Sequence, residues 1–130
     1  MPTELMQPVL AVLLAFAHLV VYALIANAQV GTAYLAGPRD TPNTGLSIGA
    51  ARMKRAFENH LQTLPWFAIV MVVAHLSKQV DDTVITCGWI YLAARVLYIP
   101  AYVVHIPLVR SAVWAIATGM IIIIAVRLIT

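Results

Sequence analysis

Polar side chains recur at helical spacing in two segments of a chain that is otherwise strongly apolar. The first segment carries Arg52, Arg55, Asn59 and Gln62, and the second carries Arg95, Tyr98, Tyr102 and His105. Both sets follow the spacing i, i+3, i+7, i+10, so each occupies one face of a helix. Guanidinium groups in or near hydrocarbon are energetically costly and mark functional sites. We therefore expect the function to reside where the two polar faces meet.

The composition indicates an integral membrane protein of a single domain. The chain has 130 residues, of which 62% are hydrophobic and 10% are charged, whereas a typical soluble domain has about 25% charged residues. The net charge of +3 comes from scattered side chains rather than from a basic patch, so nothing indicates nucleic-acid binding. A single cysteine, Cys87, excludes an internal disulfide and a cysteine-based metal site.

Four apolar segments predict an all-α membrane four-helix bundle that forms one domain over residues 1–130. The segments cover about residues 5–28, 50–77, 83–104 and 108–129, and each reaches the roughly 20 residues that a spanning helix needs. A long segment with turn signals such as Gly37-Pro38 separates the first two. The other connections are short, which makes neighbouring helices antiparallel and adjacent.

The distribution of positive residues predicts the orientation in the membrane. Five positive residues flank loops one and three, and two lie on the other side. By the positive-inside rule, loops one and three face the cytoplasm and both termini face the opposite side. The five are Arg39, Arg52, Lys54, Arg55 and Arg110, and the two are Lys78 and Arg127.

The two polar faces converge in this topology. In antiparallel neighbours Gln62 lies near the depth of Arg95, and Arg52 lies near the depth of His105. Arg110 begins the fourth helix at the same surface. The sequence therefore predicts a cationic, hydroxyl-rich cleft that reaches from the cytoplasmic interface toward the middle of the membrane.

The cleft is predicted to bind an anion. Glu58 is the only acid within the predicted spans, and it lies beside the polar face rather than on it. Guanidinium groups bind carboxylate or phosphate through paired hydrogen bonds. We therefore expect a small anion with polar groups for Asn59 and the tyrosines, whose reactive part, or a second substrate, lies toward lipid.

Two weaker patterns concern metals and packing. His60 and His105 fall at similar depth, as two haem ligands would, but His60 points away from the polar face of its helix, which disfavours haem. A set of small residues repeats every four positions on the fourth helix and permits close contact within the bundle or between subunits. These are Ser111, Ala115 and Gly119. A bundle of this size makes a thin wall, so we expect an oligomer with shared sites.

The motifs and their order resemble the MAPEG family, the membrane-associated proteins of eicosanoid and glutathione metabolism. Residues 52–65 are similar to the family pattern Arg-x-x-Arg-Ala-x-x-Asn-x-x-Glu with a proline soon after. Arg95-x-x-Tyr98-x-x-x-Tyr102 is similar to the second family signature, and Arg110-Ser111 to a pair at the start of helix four. Length, span number and the long first loop also agree, so the resemblance covers nearly the whole chain.

The resemblance implies a homotrimer in which glutathione, as co-substrate, lies between helices of neighbouring subunits and is open to the cytoplasm. It implies that Arg110 stabilises the thiolate, since a positive group lowers the pKa of a thiol. The implied protein is a glutathione-dependent transferase or peroxidase acting on a lipophilic electrophile or hydroperoxide. The implied glutathione-binding residues are Arg55, Asn59, Arg95, Tyr98 and Tyr102, with Gln62 at the position of the family's glutamate.

The chain departs from the family pattern at two positions. Gln62 replaces the glutamate and Thr63 replaces an aromatic residue. Gln62 offers only neutral hydrogen bonds, so one charge-assisted contact is missing. Another small acidic thiol, or a non-catalytic module that binds an anionic lipid or a partner protein, therefore stays open. A small multidrug-type transporter is disfavoured because it relies on an acid in its first helix, and residues 5–28 contain none.

Overall fold

The computed structural model describes residues 1–31, 33, 37–38, 47–104 and 106–130. Within them the chain forms four α-helices: α1 (Thr3–Val30), α2 (Ile48–Leu76), α3 (Asp82–Val103) and α4 (Pro107–Ile129). The prediction of an all-α fold is confirmed, and the predicted helix limits differ from these by at most two residues. Arg39 and His105, which entered the predicted orientation and the second polar face, lie outside the described residues.

Local sequence determines where three of the helices begin. Ser47 caps α2, with its Oγ accepting a hydrogen bond from the backbone N of Ala50 at 3.1 Å. Asp81 caps α3 in the same way, accepting from the backbone N of Val84 at 3.0 Å. Pro107 opens α4, where a missing N–H leaves no hydrogen bond unmade. Each connection therefore ends on a residue suited to starting a helix.

Polar side-chain contacts at one end of the bundle show that consecutive helices are antiparallel. Near the end of α2, His75 Nδ1 lies 2.9 Å from Glu4 Oε1 at the start of α1. Near the end of α4, Arg127 Nε donates to Asp81 Oδ2 at 2.6 Å, just before α3. The beginnings of α1 and α3 thus share one end of the bundle with the ends of α2 and α4. For α2, α3 and α4 this is the arrangement that the short connections predicted.

Arg127 also affects the titration of Asp81. The hydrogen bond from Arg127 holds the pKa of the Asp81 carboxyl below its ordinary value, and the Val84 N–H acts in the same direction. Because this pKa is lower in the folded chain, the pair stabilises the fold above the ordinary carboxyl pKa. That contribution is lost as the pH falls through the lowered pKa. Water screens the pair, so it contributes little to stability.

The four helices pack with α2 and α3 at the centre. These two contact each other and both outer helices, whereas α1 and α4 make no contact with each other in the described ranges. Buried apolar residues from all four helices fill the space between them, including Ala11, Phe67, Tyr91 and Ile124. Phe67 and Tyr91 stack with ring centroids 4.0 Å apart. Side chains on α2 and α3 are therefore the best placed to build a buried site.

Three of the helices are long and apolar enough to cross a membrane: α1, Asp82–Tyr102 of α3 and Leu108–Ile129 of α4. Their outer faces expose large apolar side chains such as Leu13, Phe16 and Ile122, as a surface in contact with lipid requires. Helix α2 is not among the three, because its first half carries the first polar face. Its membrane span stays a prediction.

A glycine allows α1 to place a polar side chain against α3. Gln7 is fully buried, and its Nε2 donates to the carbonyl oxygen of Ile85 at 3.0 Å. A Cβ at Gly88 would overlap the Gln7 side-chain amide. The missing side chain at Gly88 therefore makes room for the amide and its hydrogen bond.

We expect Gly88→Ala to lower the free energy of unfolding by about 1–3 kcal/mol, since the new methyl group overpacks a buried, hydrogen-bonded amide. Gly49→Ala is the control, because within the described residues only Ser47 Oγ comes near a Cβ there, at 4.0 Å. Denaturant unfolding in detergent, followed by circular dichroism, gives both values. Equal stability of the two variants would mean that Gln7 repacks without cost.

Candidate functional site

An open groove lies between α2, α3 and α4, near the beginnings of α2 and α4. Its volume is about 500 Å³, within the range of small-molecule sites. Helix α2 contributes one lining residue, α3 contributes two tyrosines and α4 contributes the rest. The lining residues are Asn59, Tyr98, Tyr102, Arg110, Ser111, Trp114 and Ala115.

Two guanidinium groups flank Tyr102 at the groove. Arg55 Nε donates to the Tyr102 hydroxyl oxygen at 3.1 Å. The Cζ atoms of Arg110 and Arg55 lie 4.9 and 5.8 Å from the centroid of the Tyr102 ring, within reach of a cation–π interaction. Because the Tyr102 oxygen accepts from Arg55, its own hydroxyl proton can be donated to a ligand.

Arg95 lies behind the groove wall rather than in it. Its side chain is only 1% exposed. Nη1 donates to Asn59 Oδ1 at 2.9 Å, and Cζ lies 4.5 Å from the centroid of the Tyr98 ring. Nη2 is buried and has no hydrogen-bond partner within the part of the chain that the structure describes. Arg95 therefore supports two residues of the wall from behind.

His60 connects Arg95 to α1. Arg95 Nε donates to His60 Nδ1 at 3.3 Å, and His60 Nε2 lies 2.9 Å from the carbonyl oxygen of Ala11. Since a carbonyl only accepts, Nε2 carries the proton and the imidazole is neutral. One turn on, Thr63 donates to the His60 carbonyl at 3.3 Å and pairs with the Tyr91 hydroxyl at 2.9 Å. The interior behind the groove is thus a continuous polar network.

The charge around the groove is positive. No carboxylate is among the lining residues that the structure describes. Glu58 is exposed and lies 3.9 Å from Lys54, while Glu4 and Asp81 lie at the opposite end of the bundle. Among the described residues, no cluster of three or more His, Cys, Asp or Glu side chains forms a metal site. The arrangement therefore favours an anionic ligand held by donors.

The structure brings most of the predicted site residues together. Asn59, Tyr98, Tyr102 and Arg110 line the groove, and Arg55 reaches it through Tyr102. Arg95 contacts Asn59 and Tyr98 from behind. His105, the last member of the second polar face, lies outside the described residues.

Gln62 does not line the groove of the single chain. It is exposed, and the side chain of the first polar face that contacts Arg95 is Asn59, so the expected contribution of Gln62 to ligand binding stays a prediction. The exposure follows from helical geometry: each step of three residues turns the side chain by roughly 60° away from the starting face. Gln62 comes three residues after Asn59, so its side chain points roughly 60° further from the buried face of α2 than that of Asn59.

No role for His60 was predicted from the sequence, because His60 points away from the polar face of its helix. A pattern that locates it is present: Ala56, His60, Thr63 and Phe67 follow the three- and four-residue spacing of the buried face of α2. A histidine and a threonine on an otherwise apolar buried face must find hydrogen-bond partners. Both ring nitrogens of His60 are used in hydrogen bonds, which leaves no lone pair for a haem iron.

Comparison with known proteins identifies a family. Residues 8–130 match the sequence model of the MAPEG family. No curated protein and no solved structure matches the chain. The matched range includes α2, α3, α4 and most of α1, and therefore the whole groove and the network behind it.

We expect Arg95→Lys to lower the free energy of unfolding by about 1–3 kcal/mol although it keeps the charge. An ammonium lacks the planar fork that reaches His60 and Asn59 together, so at least one of these two acceptors loses its donor. Arg110→Lys, at the half-buried groove position, is the control and should change stability by no more than about 0.5 kcal/mol. Chemical unfolding in detergent measures both variants. An equal loss in the control would show that the buried hydrogen bonds do not carry the effect.

Proposed function

The chain belongs to the MAPEG family, and on this basis we propose that it is a membrane-bound glutathione-dependent transferase or peroxidase. Glutathione occupies the groove as co-substrate. The second substrate is a lipophilic electrophile or hydroperoxide that arrives through the bilayer. The observation that carries the proposal is the groove itself: Asn59, Tyr98, Tyr102 and Arg110 line it together, and Arg55 donates to one of its tyrosines.

The charges of the groove and of glutathione are complementary. Glutathione has two carboxylates and, once activated, a thiolate. The groove has the guanidinium group of Arg55 for a carboxylate and that of Arg110 for the thiolate, with no lining carboxylate among the described residues. Hydrogen bonds from guanidinium to carboxylate are among the stronger ones in proteins. Asn59 and the two tyrosines supply further donors for the peptide carbonyls and the remaining carboxylate oxygens.

Arg110 is the residue best placed to activate the thiol. A thiol reacts as its thiolate, and a neighbouring positive charge lowers its pKa. With the proton released to solvent, the thiolate sulfur bonds to an electrophilic carbon and the leaving group departs. With a hydroperoxide, the thiolate sulfur takes the terminal hydroxyl group as the O–O bond breaks, and the alkoxide takes a proton from solvent and leaves as the alcohol. A second glutathione then displaces water from the sulfenic acid to give the disulfide. Both reactions use the same activated sulfur.

The groove also supports a shared site in a homotrimer. Its α4 side is formed by Ser111, Trp114 and Ala115, which are all exposed in the single chain, so a neighbouring subunit can complete the wall. Helix α2 packs between α1, α3 and α4, and we propose that it spans the membrane together with them. Loops one and three then face the cytoplasm, where glutathione is present.

A second candidate is a non-catalytic module that binds an anionic lipid. One observation favours it: Arg95 is engaged by Asn59 and His60, and Gln62 faces away, so fewer groups remain for a peptide ligand. A lipid headgroup needs only the guanidinium groups at the groove. Ligand-dependent thermal stability of the purified protein in detergent separates the candidates, because a ligand selective for the folded state raises the melting temperature.

We expect glutathione to raise the melting temperature of the wild-type protein. We expect Arg55→Ala to raise the glutathione Kd about 10- to 100-fold, because the variant loses a charge-assisted hydrogen bond to the ligand. Lys54→Ala is the control, since it removes the same charge one residue away, where Lys54 faces Glu58. Calorimetric titration gives both Kd values. Stabilisation by anionic lipid without any by glutathione would favour the second candidate.

For the chemical step, we expect Arg110→Gln to lower the rate of conjugation to an activated aryl halide by at least about tenfold at neutral pH, because the thiol of bound glutathione stays protonated. Raising the pH should restore much of this rate. The Kd of an S-alkyl glutathione, which has no thiolate, should change far less. Stopped-flow ultraviolet absorbance of the thiolate measures the ionisation directly. An unchanged thiolate signal would assign the activation to another residue.

A further inference from the structure

The hydrogen bonds behind the groove determine which atoms of its wall a ligand meets. We propose that His60 is a positioning residue: through Arg95 it turns the Asn59 amide so that the NH₂ group, and not the oxygen, faces the groove. The inference deepens the proposed function and rests on it for the identity of the ligand. The orientation itself follows from the contacts of three helices.

The first step is the tautomer of His60. Its Nε2 lies 2.9 Å from the carbonyl oxygen of Ala11 on α1. A carbonyl accepts but cannot donate, so Nε2 carries a proton. Because Arg95 Nε donates to Nδ1, Nδ1 has a lone pair and the ring is neutral. The ring is 2% exposed, so water cannot compete for either nitrogen. A backbone carbonyl of α1, a helix that does not line the groove, therefore holds the proton on Nε2 and leaves Nδ1 as the acceptor that faces α3.

The second step is the orientation of Arg95. Its Nε donates to this acceptor at 3.3 Å, which fixes the plane of the guanidinium. Nη1 then points to Asn59 and donates to Oδ1 at 2.9 Å. A guanidinium has donors only, so a flipped Asn59 amide would set N–H against N–H. The amide can make this bond in one orientation alone.

The third step is what remains for the ligand. With Oδ1 committed to Arg95, the part of the Asn59 amide left for the groove is the NH₂ group. Tyr102 is in the same situation, since its oxygen accepts from Arg55 and its proton is left for a ligand. Arg110 has only donors. These three lining residues thus present donors to the groove, which favours carboxylate, carbonyl and thiolate groups over an ammonium.

The test compares two replacements of His60 that differ in the acceptor. His60→Asn can place an oxygen near the position of Nδ1, whereas His60→Met has similar bulk and no comparable acceptor. We expect His60→Met to raise the glutathione Kd about tenfold, equivalent to about 1.4 kcal/mol, and His60→Asn to stay within about threefold of wild type, a difference of under about 0.7 kcal/mol. The thiolate absorbance of bound glutathione should be the same in both variants at saturation, because Arg110 is unchanged. Loss of affinity with retained ionisation is not the result of general misfolding.

A second measurement does not depend on glutathione. Nitrogen NMR of protein labelled at histidine, with the His60 signals identified by their absence in His60→Asn, reports the tautomer. We expect a neutral ring with the proton on Nε2 in the wild type. Arg95→Met should keep this tautomer, because the Ala11 carbonyl still accepts from Nε2, while the Nδ1 signal shifts because its donor is lost. If the wild type fails to bind glutathione but shows this tautomer, the proposed function is wrong, and the His60 tautomer from which the positioning role follows is confirmed.

Three outcomes would overturn the positioning role. One is a proton on Nδ1 of His60 in the wild-type protein. Another is His60→Met binding glutathione as tightly as the wild type does. The third is an equal loss of affinity in His60→Met and His60→Asn, which would indicate that only packing at this position matters.

Discussion

A guanidinium group enclosed in a helical bundle is the constraint on which the rest of this structure depends. Arg95 is 1% exposed, and an unpaired buried charge would cost several kcal/mol. The described partners that meet it are neutral: the ring nitrogen of His60, the amide oxygen of Asn59 and the face of the Tyr98 ring. They solvate the charge without cancelling it. The packing of α2 against α3 is therefore tied to the same side chains that shape the groove.

The polar contacts between helices differ in kind at the two ends of the bundle. At the end without the groove, the helices are joined by a contact between Glu4 and His75 and by an ion pair between Asp81 and Arg127. The ion pair lies at the surface and contributes little, because water screens it. Nearer the other end, the polar contacts are buried and directional, and they fix tautomers and amide orientations. A substitution there changes both the stability of the bundle and the chemistry of its wall.

Much of this arrangement could be predicted from sequence. Apolar run length gave the helices to within two residues, and the spacing of Asn59, Tyr98, Tyr102 and Arg110 with antiparallel packing gave the groove. The membrane span of α2 could not be confirmed from composition, because its polar face offsets its apolar one.

His60 was missed for a different reason. Its role depends on the Ala11 carbonyl, 49 positions away in the chain, and a backbone oxygen leaves no trace in a sequence pattern. Pattern reasoning identified side chains that share a face, but not the acceptor that decides how they are oriented.

The position of Gln62 changes how the departure from the family pattern is understood. A glutamate at this position would provide a carboxylate for an arginine, and its replacement argued for a weakened site. In this chain, however, Gln62 is exposed, and Arg95 finds its acceptors in Asn59 and His60 instead. A carboxylate at 62 would therefore not meet Arg95 within one subunit. The positive charge of Arg95 is left without an acidic partner among the described residues, and an anion bound in the groove, separated from it by Asn59 and Tyr98, is the group that would balance it.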